Sequence, residues 1–247
     1  MFSQHQKGNA VVSFCRRTKL ITGLFLTIFL VGCASTASVK QIDRLDRVGV
    51  KPKILIMAPD VKYYLITASG VTQPHAEWTE AARINFADSL QDYANERNIE
   101  VISGNNADQL TDAEISYQKL YSAVGASILS HYFNTGFSLP TKQGAFDWSL
   151  GPGVEVIGKQ YAADYALFSY YRDYQASGGQ VAQTIILGVL TGAQGNTGSE
   201  RGFASLVDLR TGDIVWFNQV TNGAGELRDK DGARATIDAL FKNLPEG

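Results

Sequence analysis

The chemistry of one residue, Cys33, is simple to state: its thiolate is a nucleophile, and Gly32 before it leaves the backbone open to close approach. The other reactive side chains lack partners at useful spacing. His75 and His131 fall in different expected helices, and there is no H-E-x-x-H, no ligating cysteine pair and no G-x-S-x-G. A zinc site or a nucleophile triad therefore has no framework, and His131, near a helix C-terminus, reads as a dipole partner. Asp60 follows an apolar run, where α/β sheets place ligands, yet Pro59-Asp60 also makes plain turn chemistry. Gly192, Gly195, Gly198 and Gly202 recur, but no Gly-Lys-Ser/Thr follows, so a phosphate cradle lacks its lysine. We expect no cofactor and no metal.

The residues around Cys33 give it a context. Lys7, Arg16, Arg17 and Lys19 are the only charged side chains in the first 33 residues, and no Asp or Glu precedes Asp43. Leu20 to Val31 is uncharged and mostly apolar, short of the ~20 residues that span a bilayer. Leu30-Val31-Gly32-Cys33 then resembles the lipobox of bacterial lipoproteins. That resemblance implies a signal peptide over residues 1–32, cleavage between Gly32 and Cys33, and diacylglycerol and palmitate-type acylation on the Cys33 thiol. Export through Sec is the default; Arg16-Arg17 leaves the twin-arginine route open, although Lys19 stands where that signal carries an apolar residue. Ala34-Ser35-Thr36 has no Asp at the second mature position, which points to the outer membrane, facing the periplasm, over the inner one. Two or three acyl chains, at ~0.8 kcal/mol per buried CH₂, make a stable membrane anchor.

Composition bounds the remainder. The four basic residues at 7, 16, 17 and 19 leave with the signal, so 18 Lys+Arg face 24 Asp+Glu, a formal charge of −6, and nucleic acid is not an expected partner. Cys15 leaves too and Cys33 carries lipid, so no intramolecular disulfide is expected. We expect a tethering linker over 33–50, with a reach of at most roughly 58 Å, and a single domain over 51–247.

Periodicity supplies that domain's elements. Lys53 to Ala58 reads as a doubly buried strand, and Thr72 to Asn98 as a helix with Trp78, Ala82, Phe86, Leu90 and Tyr93 facing the sheet. Ile99 to Ile102 is a short strand, and Thr111-Asp112-Ala113-Glu114 resembles a capping box opening a helix to Leu129. Residues 136–153 form a loop with exposed or half-buried Phe146 and Trp148, followed by a short helix over 154–161. Asp164 to Gln175 is an aromatic-rich strand; Phe203 to Leu209 and Ile214 to Gln219 form a hairpin around Arg210-Thr211-Gly212-Asp213; Arg228 to Asn243 closes the chain as an amphipathic helix. Asp208 and Asp213 set the hairpin turn.

The fold class is thus α/β (α+β), a mixed sheet of about five strands in the order β-α-β-α-β-β-β-α with helices packed on it. This order is similar to the α/β domain of envelope proteins such as curli-secretion lipoproteins of the CsgG type, the TolB N-terminal domain and penicillin-binding-protein activators. The hairpin Ser205-Leu206-Val207-Asp208-Leu209-Arg210-Thr211-Gly212-Asp213-Ile214-Val215-Trp216 looks like the D-x-x-T-G-x-I-V-W hairpin of that group, and Ala163 to Leu167 resembles its preceding strand. The resemblance implies a non-enzymatic assembly or protein-interaction module of the cell envelope, binding envelope proteins or further copies of itself. The alternative is an envelope hydrolase or small-ligand-binding lipoprotein with a cleft near Asp60, bordered by Phe146 and Trp148.

An apolar, Gly-flanked insertion at 178–202 departs from a plain domain. Its uncharged stretch Val181 to Ala193 offers Ile185, Ile186, Leu187, Val189 and Leu190 as an interaction surface. Three readings stay open: a buried helix or strand extension, a contact with a subunit or partner, or membrane contact. Ile185-Ile186-Leu187 breaks the alternation that a membrane-spanning β-strand requires, so no pore is expected.

Overall fold

The computed structural model describes residues 35–43, 45, 51–191, 198–221 and 224–245. All belong to the unit Cys33–Gly247. The expected signal over 1–32 and its junction Gly32–Cys33 lie outside the described residues, as do 46–50 of the expected linker, Gly192 and Gly195.

The first described segment is a strand. Where the sequence offered only a polar tether, Ser35–Lys40 (β1) pairs antiparallel with Ile214–Thr221 (β8), Ser35 opposite Thr221 and Lys40 opposite Trp216. The apolar run after residue 53 yields two strands in line, Ile54–Ile56 (β2) and Asp60–Ile66 (β3), both parallel to Tyr165–Ala176 (β6). Ile56 faces Leu167 while Asp60 faces Tyr170, so four steps on one side are matched by three on the other. This one-residue bulge contains Pro59, which has no N–H for the ladder. The bulge also inverts the alternation: Ile54 joins the same core as Val61 and Tyr63, whereas Leu55 and Met57 enter the other.

Thr72–Pro74 (β4) pairs with the end of β3, and Val101–Ser103 (β5) lies beside β2. Gly198–Asp208 (β7) runs antiparallel between β6 and β8. The result is an open mixed sheet of eight described strands in the order β1-β8-β7-β6-β2-β5, with β3 and β4 branching from β6. The count exceeds the expected five because β1, β3 and β4 lacked a sequence signal strong enough to separate them from linker, turn and helix start.

Five described α-helices cover it. Ala76–Glu96 (α1) begins four residues later than expected, with His75 as its cap: His75 Nδ1 accepts the Trp78 N–H at 3.4 Å. Its Ala82, Phe86, Leu90 and Tyr93 do bury against one sheet face, beside Ala233, Ile237 and Leu240 of Lys230–Leu240 (α5). Asp112–Ile128 (α2) opens with the expected capping box of Thr111 and Glu114 and packs, with Glu155–Tyr161 (α3), on the opposite face. There Gly125 lets α2 approach: a Cβ would sit 2.1 Å from the Phe203 ring. Gly178–Thr191 (α4) forms the connection from β6 to β7.

The loop before α3 differs from expectation. Phe146 is buried, because its ring meets Tyr132 at 5.1 Å and Phe217 at 6.3 Å, while Trp148 is half-buried with Lys142 over its face. Phe146 ends a ladder that runs across the strands from Tyr170 through Phe203 to Phe217, with spacings of 4.6 and 5.7 Å.

Candidate functional site

One end of the sheet gathers features that the sequence had scattered. Thr221 stands opposite both Ser35 and Arg201, Arg201 opposite Arg172, and Gln175 opposite Gly198. Ile66, the last residue of β3, faces Ala176, the last of β6. Ser177 caps the turn into α4: its N–H donates to Ile66 O at 2.8 Å, its hydroxyl accepts the Gln180 N–H at 3.2 Å, and its carbonyl accepts from Val181 N–H at 2.9 Å. Gly179 lies against Ala68 in the β3–β4 turn, close enough that a Cβ there would approach the Ala68 methyl to 3.1 Å. The start of β1, the β3–β4 turn and α4 therefore share this end.

On the α1 side of the same end lies a polar cluster. Glu226 accepts from Tyr63 Oη at 2.8 Å, Gln175 Nε2 at 2.9 Å and the Arg228 guanidinium at 2.6 Å. Arg228 also donates to Gln175 Oε1 at 2.8 Å and stacks over Trp78, whose indole in turn stacks on His75 at 3.8 Å. Asp173, which accepts from Gln175 Nε2 at 3.4 Å, occupies the face of β6 that carries Leu167 and Tyr171. Burial, with the nearby Glu200 and Glu226 charges, pushes its carboxyl up to about 6. Burial would raise Glu226 likewise, but hydrogen bonds from Arg228, Gln175 and Tyr63 win and hold it down at about 2. The same burial and carboxylates raise the Tyr63 phenol well above its ordinary value.

The opposite face carries an ion pair. Arg172 reaches Asp60 Oδ2 at 2.7 Å, also donates to the Asp60 and Tyr171 carbonyls, and lies 4.0 Å over the Tyr170 ring. The conjunction expected near Asp60 does not form. Its carboxylate turns to Arg172, and Phe146 is separated from Tyr170 by the Phe203 and Phe217 rings. A cleft of about 620 Å³ does open beside Pro59, between α1 and the ends of β2 and β5, but Asp60, Phe146 and Trp148 are absent from its walls. There Arg83 donates to Val61 O at 3.2 Å. The alternative of a cleft built on Asp60 is therefore not favoured.

The remaining chemical candidates have structural partners. His75 caps α1, and His131, in the last turn of the π-helical segment Leu129–Phe133 that continues α2, contacts the Phe137 carbonyl at 2.7 Å. Asp208 accepts the Arg210 N–H at 2.8 Å and so sets the hairpin. No group of His, Cys, Asp or Glu among the described residues is disposed to hold a metal ion. The insertion expected at 178–202 is a helix over Gly178–Thr191, and Ile186 is 60 % exposed; the side chains of Ile185, Leu187, Val189 and Leu190 lie outside the description. No described helix is long and apolar enough to cross a membrane. Sequence reasoning missed Arg172, Asp173, Glu226 and Arg228; the one available signal was a carboxylate at Asp173 on the apolar face of β6.

No protein-family model matches the chain, and no curated protein matches it. Among solved structures it is similar to the PelC dodecamer from Paraburkholderia phytofirmans, at 11% identity over 87% of this chain and 99% of that one, with a TM-score of 0.40. It is also similar to lipoprotein GNA1162 from Neisseria meningitidis, at 12% identity over 78% of this chain and 97% of that one, with a TM-score of 0.32. At these values neither likeness bears on function, and the likeness to CsgG and TolB domains rests on the element order and on residues 163–167 and 205–216 of the sequence.

Proposed function

We propose that the chain is a membrane-anchored lipoprotein of the bacterial cell envelope, held through acylated Cys33, whose domain serves as an assembly or protein-interaction module and not as an enzyme. The observation that carries this reading is the position of β1: only Ala34 separates Cys33 from a strand hydrogen-bonded into the sheet edge. Lipid on that thiol holds the domain directly at the membrane instead of on a long tether. The non-enzymatic part is supported by the polar side chains at the sheet end, because Tyr63, Gln175, Glu226 and Arg228 bond one another and present no nucleophile next to a free base.

The test is expression in a Gram-negative host with an alkyne fatty acid, followed by membrane fractionation and crosslinking in cells. The wild type is expected to take up label, lose residues 1–32, sediment with outer membranes and give crosslinks to envelope proteins or to a second copy. Cys33→Ala should lose label and remain uncleaved. A wild-type chain that is unlabelled, or that crosslinks only as a monomer, overturns the anchoring or the assembly reading respectively.

A further inference from the structure

α4 is unusual in this acidic chain. Its fourteen residues, Gly178–Thr191, include no charged side chain and no aromatic one. At 1.5 Å per residue it is about 21 Å long, too short for a hydrocarbon core of ~30 Å. Protein contacts draw their strength from Trp, Tyr and Arg, which α4 lacks. A helix of Ile, Leu, Val, Ala, Gly, Thr and Gln can still offer apolar area to the boundary between lipid headgroups and acyl chains, without the Lys and Arg that add attraction to anionic lipid.

Position supplies the second argument. Ser35 is level with Arg172 across β8 and β7, and β6 continues four residues beyond Arg172 to Ala176 before α4 begins at Gly178. Those four residues advance about 13 Å. Cys33, two residues before Ser35, extends at most about 7.6 Å from it. Because this end of the sheet is where the chain enters from Cys33, acyl groups there would meet the membrane beside α4. The β3–β4 turn abuts α4 through Ala68 and Gly179 and exposes Val71, 52 % accessible, as α4 exposes Ile186. Two large exposed apolar side chains thus occur on the two segments that project at this end.

We propose that α4 and the Thr67–Val71 turn lie in the interface of the membrane that holds Cys33, giving the domain a second attachment and a fixed orientation. The proposal rests on the anchored reading for the identity of that membrane. Because α4 carries no cation, its contact depends on apolar area and not on anionic lipid, and it is insensitive to salt.

The experiment uses the full chain, processed in cells, purified and reconstituted in phosphatidylcholine vesicles. Single variants Ile186→Cys, Val71→Cys and Val156→Cys are labelled with an environment-sensitive fluorophore; Val156, exposed on α3 at the opposite end of β6, is the control. Emission from positions 186 and 71 is expected to shift to the blue and to be quenched by spin-labelled lipid, equally at low and high salt, with no change at 156. Intact mass on the same samples reports acylation. An acylated, vesicle-bound chain with no shift at 186 overturns this proposal and leaves the anchor standing. With Cys15 and Cys33 replaced by serine, so that position 186 holds the one thiol, a shift at 186 in the unacylated chain added to vesicles supports this proposal without the anchor. A shift that appears without vesicles and grows with protein concentration marks a contact between copies and overturns the membrane assignment.

Discussion

Arg172 and Asp60, 112 positions apart, meet at 2.7 Å with their side chains only 10% and 15% exposed. The pair locks the start of β3, just past the Pro59 bulge, onto the middle of β6. Removing one partner leaves a largely desolvated charge, which costs about 3–5 kcal/mol, whereas replacing both with apolar groups of similar volume costs far less. Asp60→Ala is expected to lower the unfolding free energy by about 3 kcal/mol, and Asp60→Leu with Arg172→Met to recover most of that. Denaturant unfolding of the two single variants and the double variant checks it; additive losses would show that the ion pair is not the coupling element.

The edge strand gives a second expectation. Ser35–Lys40 pairs in register with Trp216–Thr221, and the ladder continues through Gln41 N–H to Val215 O at 2.9 Å. Hydrogen exchange should find amides of residues 36–41 protected well beyond unstructured peptide, in contrast to a tether that would exchange at once. Deleting the strand should leave β8 as an open edge and promote aggregation, read by light scattering.

Gly125 is a third case, in which two effects oppose. In a helix interior Ala is favoured over Gly by about 1 kcal/mol. Here the added methyl would meet the Phe203 ring at 2.1 Å, and that ring is held between Tyr170 and Phe217 and cannot swing away. Overpacking costs about 1–3 kcal/mol and wins. Gly125→Ala should therefore lower Tm, and adding Phe203→Leu should lower it less than the two single losses combined. A rise in Tm for Gly125→Ala would mean that α2 stands further from the sheet.

What was legible in the sequence follows the range of the forces involved. The capping box at Thr111 and Glu114, the buried stripe of α1 and the Asp208–Gly212 turn are local, set by spacings of a few residues, and each appears where expected. The polar, small sequence of β1 has no strand signature of its own; pairing is imposed by the free edge of β8. Asp60–Val61–Lys62–Tyr63 does alternate, but Pro59 interrupted the run and the bulge shifted its phase. The apolar run of α4 was consistent with helix or strand. The cluster of Asp173, Glu226 and Arg228 depends on β6 meeting the loop before α5, a relation no short-range pattern encodes.

That cluster makes the fourth prediction, for pH. Burial, ahead of the Glu200 and Glu226 charges, raises the Asp173 carboxyl from an ordinary 3.8 to about 6. Between those values the folded chain holds a proton that the unfolded chain has lost, so this group's contribution to stability is full below about pH 4 and disappears as pH rises through 6. At 1.36 kcal/mol per unit the loss is about 3 kcal/mol at most. Glu226 has the opposite sign. Hydrogen bonds from Arg228, Gln175 and Tyr63 overcome its burial and lower it from 4.5 to about 2, so its contribution is present above about pH 4.5 and is lost as pH falls toward 2. The two slopes meet, and stability should be greatest near pH 4–5 if these groups dominate. Asp173→Asn should flatten the upper slope and raise stability at pH 7.5, while the loss below pH 4 persists. Glu226→Gln should do the reverse, weakening the acid slope. Tm measured from pH 3 to 8 for the three proteins decides it: a wild-type profile parallel to that of Asp173→Asn would mean that Asp173 ionises freely in the folded state, and that the polar cluster tolerates a second carboxylate at no cost.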